Sequence, residues 1–392
     1  MAKKKINGLE RKNWKSGFTL IGKAKVSDKT FTFDKESEKT DWIYNTMNLI
    51  IDCGEKCGDV FCTLMGGYGS ERENKIFVHG KNEDGTDDFN AKIEVAWEDR
   101  FDEDVLETIG DLSLFTVGLE KTAEKKTYYK KFLSAYDAIK YISENLKDGM
   151  VVNVKGNLKY QYYNGNVSVK KEVTSIVLSK VEEEKDFCAK FKQSILIDKD
   201  SIGAVDKSKN VLLIRAKVLE YMATMNGYEI QGDKYIPLPK TFEYACDVTN
   251  EALLTGIKNK LFSVSRDVSK VDFEGVFVES GATVKLTEDD LSDDIKQLIA
   301  IGAYTLEEAL EDASADGGVD RRMVLTKPLL VKANLEEKTK ATISKVDRLF
   351  TEAEINLPCL KAEEADEELE TDEDGFVKIS DDDDMAWLND VE

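Results

Sequence analysis

Between Val152 and Tyr163 apolar and polar side chains alternate, and the polar ones have the makings of a binding surface. If Val152, Val154 and Leu158 face a core, the opposite face of the same strand carries Lys155, Lys159, Gln161 and Tyr163. Ammonium groups beside a flat ring suit a ligand made of phosphates and bases, since stacking on an aromatic ring contributes about 1–3 kcal/mol per base whatever the base. Tyr160 and Tyr162 add rings beyond the edge of the sheet, and Lys170 and Lys171 lie on the returning arm. A solvated strand with aromatic cross-strand pairs would have the same composition.

These residues need a hairpin to hold them, and the sequence supplies one. Asn164-Gly165 is the strongest short hairpin signal, and Val167 to Leu178 returns as the second arm. A helix precedes it: Ile139, Ile142 and Leu146 repeat at three and four within Tyr136 to Leu146, and Lys147-Asp148-Gly149 ends it. Before the helix, strands are expected at Phe18–Val26, Trp42–Asp52, Gly58–Met65, Lys75–His79 and Asn90–Trp97. Lys23 and Lys25 flank the first strand, within reach of a phosphate. Phe31, Phe33, Trp42, Tyr44 and Trp97 are read as core. Strands, one helix and a closing hairpin describe a small, partly open barrel of the OB type over residues 1–180.

The second half repeats the plan. Residues 181–190 are charged and read as a linker. Strands at Val211–Met222 and Tyr228–Pro237 precede a helix at Asn250–Phe262. Val271-Asp272-Phe273-Glu274-Gly275-Val276-Phe277 then matches Val152-Asn153-Val154-Lys155-Gly156-Asn157-Leu158 as apolar-x-apolar-x-Gly-x-apolar. Residues 191–361 are therefore expected to form a second OB-like domain. Leu286–Asp312 would be a helical insertion, Met323–Val331 a late strand and Glu336–Glu354 a closing element. The expected class is mainly β with some α, two OB-like barrels and a disordered acidic tail.

That tail, 362–392, holds fifteen Asp or Glu against Lys378 alone. So dense a block of like charge repels itself and lacks the apolar surface to fold. Asp381-Asp382-Asp383-Asp384 runs into Met385-Ala386-Trp387-Leu388, an apolar tip on an acidic leash that suits a partner's basic, greasy pocket. A solubility tail with a chance Trp is the bland alternative. The tail carries −14 of the chain's net charge of −22, and the remainder is uneven. Residues 1–25 hold eight Lys or Arg against Glu10, and residues 121–171 hold eleven Lys against four acids. An acidic total thus leaves room for a nucleic-acid partner.

Other constellations are weaker. Cys53, Cys57 and Cys62 with His79 lack the paired C-x2-C spacing of zinc knuckles and read as free buried thiols. Gly66-Gly67-Tyr68-Gly69 reads as a flexible loop without the Lys-Ser/Thr ending of a phosphate loop. Asp289, Asp290, Asp293 and Asp294 read as a solvated helix face. His79 is the only histidine, so Ser-His chemistry would have to centre on it. No apolar run reaches the roughly 18 residues of a membrane span.

With helix and hairpin placed, residues 136–179 resemble the bacterial and phage single-stranded-DNA-binding proteins. The residues that carry the likeness are the turn at Lys147, the strand Val152–Leu158 and the basic-aromatic hairpin up to Tyr163. Phe18-Thr19-Leu20-Ile21-Gly22 is similar to the family's first strand, Trp42–Ile51 stands in the place of its second, and the acidic tail with an apolar tip fits its ending. Two departures stand out. About seventy extra residues separate the second strand from the helix, and Asn389-Asp390-Val391-Glu392 follow the apolar tip. The resemblance implies a base stacked on Tyr163. It further implies a non-enzymatic protein of replication or recombination, without cofactor or metal, in the bacterial cytoplasm (a phage's host). Its partners would be single-stranded DNA and proteins recruited by Trp387 and Leu388. The competing expectations are a metal-dependent nuclease built on the acidic second half and an OB module that binds protein or carbohydrate.

Overall fold

The computed structural model describes residues 4–163, 165–181, 183–264, 266–282, 317–333 and 340–360, together with 296, 299, 305 and 306. Most of the Leu286–Asp312 segment, the four aspartates at 289–294 and the acidic tail lie outside the described residues.

The first half closes into a five-stranded barrel. Ser16–Lys25 pairs with Trp42–Asp52, which pairs with Asp59–Gly69. Asp59–Gly69 meets Asn166–Leu178 in parallel at Thr63 and Glu172. That strand is the hairpin partner of Val151–Tyr163, which returns to Ser16–Lys25 and shuts the ring. This is the OB arrangement. Its core comes from the period-two faces: Leu20, Met47, Leu49, Ile51, Val60, Val152 and Val154 are buried. The helix Ala135–Asn145 lies between third and fourth strands. Ser134 starts it by accepting from the Tyr136 N–H at 3.1 Å, and Ala135, Ala138, Ile139 and Ile142 are its buried face.

The Gly66–Gly69 run is not a loop. It completes the third strand, paired with Trp42–Asn45. A Cβ on Gly66 would press into Ala135 and one on Gly67 into the Trp42 indole, so glycine lets the helix and the indole lie directly on the strand. The extra residues before the helix form a module of their own. Lys75–Lys81 and Asp87–Ala96 make a two-stranded sheet, and Phe115–Lys121 with Thr127–Phe132 make a hairpin beside Asn166–Leu178.

A second ring of the same order follows: Cys188–Ile197, Val211–Tyr221, Tyr235–Ala245, Gly317–Pro328 and Val268–Ala282. The helix Glu251–Ile257, capped by Asn250, again sits between third and fourth strands. Lys345–Phe350 adds to the outside of Val268–Ala282.

The matching heptapeptides occupy the same place in both rings. In each, the register slips beside the glycine, at Gly156 and at Gly275, leaving Thr174 and Thr326 bulged. Each bulged threonine hydroxyl donates to the carbonyl preceding the glycine: Thr174 to Lys155 at 3.4 Å, Thr326 to Glu274 at 3.0 Å. A Cβ on Gly156 would overlap the Glu172 carbonyl and the Phe18 ring, and one on Gly275 the Phe191 ring and the Val324 carbonyl. The two first strands pair antiparallel, with Phe18 opposite Phe191. Both rings thereby lie in one continuous 15-stranded sheet, in which the first, fourth and fifth strands of each ring run side by side as six neighbours.

Each barrel also reaches across to the other. The far half of Val151–Tyr163 docks on the second barrel: the Tyr160 N–H donates to Glu220 Oε2 at 2.8 Å and its hydroxyl to Gln193 Oε1 at 3.0 Å. The matching half of Val268–Ala282 docks on the first, where the Glu279 N–H donates to the Cys57 carbonyl at 2.8 Å.

Candidate nucleic-acid interface

The docked arms divide the residues expected on one face. Tyr160 is not a free ring. It is 2% exposed, held between Gln193 and Glu220, and burial pushes its hydroxyl well up. Lys171 is also buried, ion-paired with Glu279, with its Nζ 4.7 Å from the centre of the Phe277 ring. Tyr162 is half-buried against the core. Lys23 is paired with Glu184, and Lys25 with Asp59 at 2.6 Å, so both charges already have carboxylate partners. Lys155, Lys159 and Lys170 keep exposed side chains, and Tyr163 is 60% exposed beside the hairpin turn. Lys159 and Lys170 face each other directly across the hairpin, a like-charge pairing that costs energy unless an anion lies nearby. Glu220 Oε1 stands 4.0 Å from Lys159, and burial raises that carboxyl above its ordinary value.

A cleft of about 500 Å³ opens where the arms cross between the barrels. Phe61, Lys170 and Lys171 line it from the first barrel, and Leu213, Lys240, Thr241 and Glu243 from the second. Phe277, Glu279, Arg321 and Arg322 reach it from the second barrel's arm. Phe61 points outward from the third strand of the first barrel, 39% exposed, beside Ile50. Thr241 and Glu243 stand on the third strand of the second barrel. The second and third strands carry the ligand face of an OB barrel, so both ligand faces border one cleft.

Charge in the cleft is one-sided. Lys170, Lys171, Lys240, Arg321 and Arg322 face only Glu243 and Glu279. Arg322 holds Glu243 at 2.9 Å, while Glu279 sits between Lys171 and Arg321. Lys240 is part-buried and donates to the Val167 carbonyl at 3.2 Å. Burial lowers its ammonium from the ordinary value, the mark of a desolvated cation that an anion would relieve. An anion of several charges with an apolar or aromatic part would match this lining.

His79 anchors a different structure. The Ser113 hydroxyl is 2.8 Å from its Nδ1 and Asp87 Oδ1 is 2.9 Å from its Nε2. The His79 carbonyl accepts from Gly110 N–H, and Asp87 Oδ1 accepts from Leu112 N–H, both at 2.9 Å. That N–H is the main reason the Asp87 carboxyl lies below its ordinary value. Phe89 packs 4.7 Å from the imidazole, ring centre to ring centre. The network clamps the Asp111–Ser113 turn onto the module's hairpin. Cys53, Cys57 and Cys62 are buried free thiols; burial pushes Cys53 up and Cys62 to about 12. No described helix is long and apolar enough to cross a membrane.

The cleft residues Phe61, Lys240, Arg321 and Arg322 escaped the sequence reading. Alternation marks a side chain as outward but does not say what it faces. Phe61, standing outward between the buried Val60 and Cys62, was the one available signal.

Residues 73–243 match the YorF family, a span running from the extra module to the third strand of the second barrel. No curated protein matches the sequence. Solved structures of the single-stranded DNA binding protein from Thermus aquaticus, wild type and a deletion mutant, share 11% identity with this chain at a TM-score of 0.29. They cover 68% of this chain, and the match spans 86% and 88% of theirs. A TM-score that low does not align folds strand by strand, so the barrel assignment stands on the pairings above.

Proposed function

We propose that this protein binds single-stranded DNA in the cleft between its barrels. It coats strands without cutting them, in replication or recombination, and recruits partners through Trp387 and Leu388 on the acidic tail. The observation that carries this is the cleft: five cations against two carboxylates, with an exposed ring, between two OB ligand faces. Phosphates would sit against Lys170, Lys240 and Arg321, and a base would stack on Phe61. Tyr163 gives a further ring at the arm's end. The mechanism is electrostatic capture followed by stacking, so bound counterions leave as the strand enters.

The test uses an oligonucleotide short enough to fill the cleft alone. Phe61→Ala should weaken it by about 1–3 kcal/mol at fixed salt, with little dependence on base. Lys240→Ala should reduce the salt slope by about 0.7. If both variants bind like the parent, the cleft is not the site.

A further inference from the structure

A second groove, of about 600 Å³, lies on the outer face of these six neighbouring strands. It shares no lining residue with the cleft. The pairing Lys155–Thr19–Lys190 brings two lysines from different barrels to either side of one threonine. Lys192 follows on the same face of its strand, next to Gly17. Arg11 and Lys15, from the basic N-terminal segment, form another wall. Of the lining residues Glu274 is the one acid, and its carboxylate is held by Lys327 at 3.2 Å. Lys15, Lys155, Lys190 and Lys192 are exposed and form no ion pair with a described carboxylate.

The wall is built rather than incidental. The Lys15 N–H donates to Ser194 Oγ and its carbonyl accepts from the Ser194 N–H, each at 2.7 Å. Ser194 in turn donates to Asp272 Oδ1 at 2.6 Å, and Lys270 binds Asp272 at 3.3 Å. Ser194, Asp272 and Lys270 are all buried. This network fixes the backbone that presents Lys15 to the groove. Five cations around one groove, three on strands and two on the wall, with one acid, itself engaged, repel one another until a polyanion arrives.

We infer that this groove is a second subsite for the same single strand, which runs from it along the outer face of the first arm into the cleft. The arm supplies the path: Lys155 lies in the groove, Lys159 follows on the same face opposite Lys170, and Gln161 and Lys170 line the cleft. The ligand is a phosphodiester chain, recognised by charge and not by base. The inference rests on the proposed function, and the experiment separates the two.

Binding of the full chain is measured for an oligonucleotide of about 8 nucleotides and one of about 40, against the roughly 4–16 that one OB barrel covers. The variant Lys190→Ala/Lys192→Ala should bind the short strand like the parent. On the long strand its salt slope should be shallower by about 1.4, or about 0.7 per lysine. The unchanged short-strand affinity also shows that the variant is folded. Arg11→Ala/Lys15→Ala should repeat the pattern from the other wall. Parent-like long-strand binding in both variants would overturn the subsite while leaving the cleft in place. Tighter short-strand binding by the variants would assign the groove to the chain's own acidic tail and overturn it equally. Failure of the parent to bind either strand would remove the proposed function, and this inference with it.

Discussion

Lys171 and Glu279 show how a residue chosen for one role can serve another. The lysine comes from the first barrel and the glutamate from the arm of the second, and both are buried where the arm docks. Removing Lys171 leaves the buried Glu279 with Arg321 alone, at 3.8 Å, so Lys171→Ala should destabilise the fold by up to about 3 kcal/mol, the low end for a broken buried pair. Replacing both with methionine should cost far less, because no charge is stranded. Urea unfolding of both variants checks this; equal losses would mean that the pair is not a unit. Tyr160 makes the same point. Its hydroxyl is committed to Gln193 Oε1, which also accepts from the Ser16 hydroxyl at 3.4 Å, so Tyr160→Phe should cost about 0.5–1.5 kcal/mol of stability, the loss of one buried hydrogen bond. Its short-strand affinity should not move. A loss of DNA binding at full stability would return Tyr160 to the ligand.

At the scale of elements, the two bulges are equivalent, and so should be their failures. Gly156→Ala and Gly275→Ala each force a methyl into a neighbouring carbonyl and phenyl ring, and each should destabilise by about 1–3 kcal/mol. Thermal melts that single out one barrel would argue against the symmetry. The clamp at His79 gives an acid prediction. The Asp87 carboxyl lies below its ordinary value, so its contribution is present above about pH 3.9 and disappears as pH falls through the lower folded value. Amide protection within Lys75–Ala96, taken relative to the intrinsic exchange rate, should fall in acid, and Asp87→Asn should blunt that fall. The hairpin and its helix were legible because period, Asn164-Gly165 and Gly149 agreed locally. The second barrel was legible through seven residues, since a fourth strand that bulges at a glycine needs the same pattern in both rings. The strand Cys188–Ile197 was hidden because its alternation of Ala189, Phe191 and Ile195 starts inside a charged stretch read as linker. Docking of the arms was not legible at all. Period two separates the faces of a strand but does not distinguish a ring facing solvent from one facing another barrel, and that difference decides Tyr160 and Lys171.

The whole molecule joins two barrels by their first strands and locks them with exchanged arms, so the cleft and the outer groove are properties of the pair. A net charge of −22 obscures this, because fifteen of the acids lie in the tail while the cleft and groove stay basic. The central claim is capture of single strands by that charge. Its most direct test is a salt titration of the intact chain with a short oligonucleotide and with the duplex of the same length. The cleft has three cations in excess of its acids, so log affinity for the single strand should fall against log salt with a slope near −2, at about 0.7 per phosphate neutralised. The duplex should bind more weakly at every salt concentration. Affinity that ignores salt, or a duplex bound as tightly as its separated strand, would contradict the account.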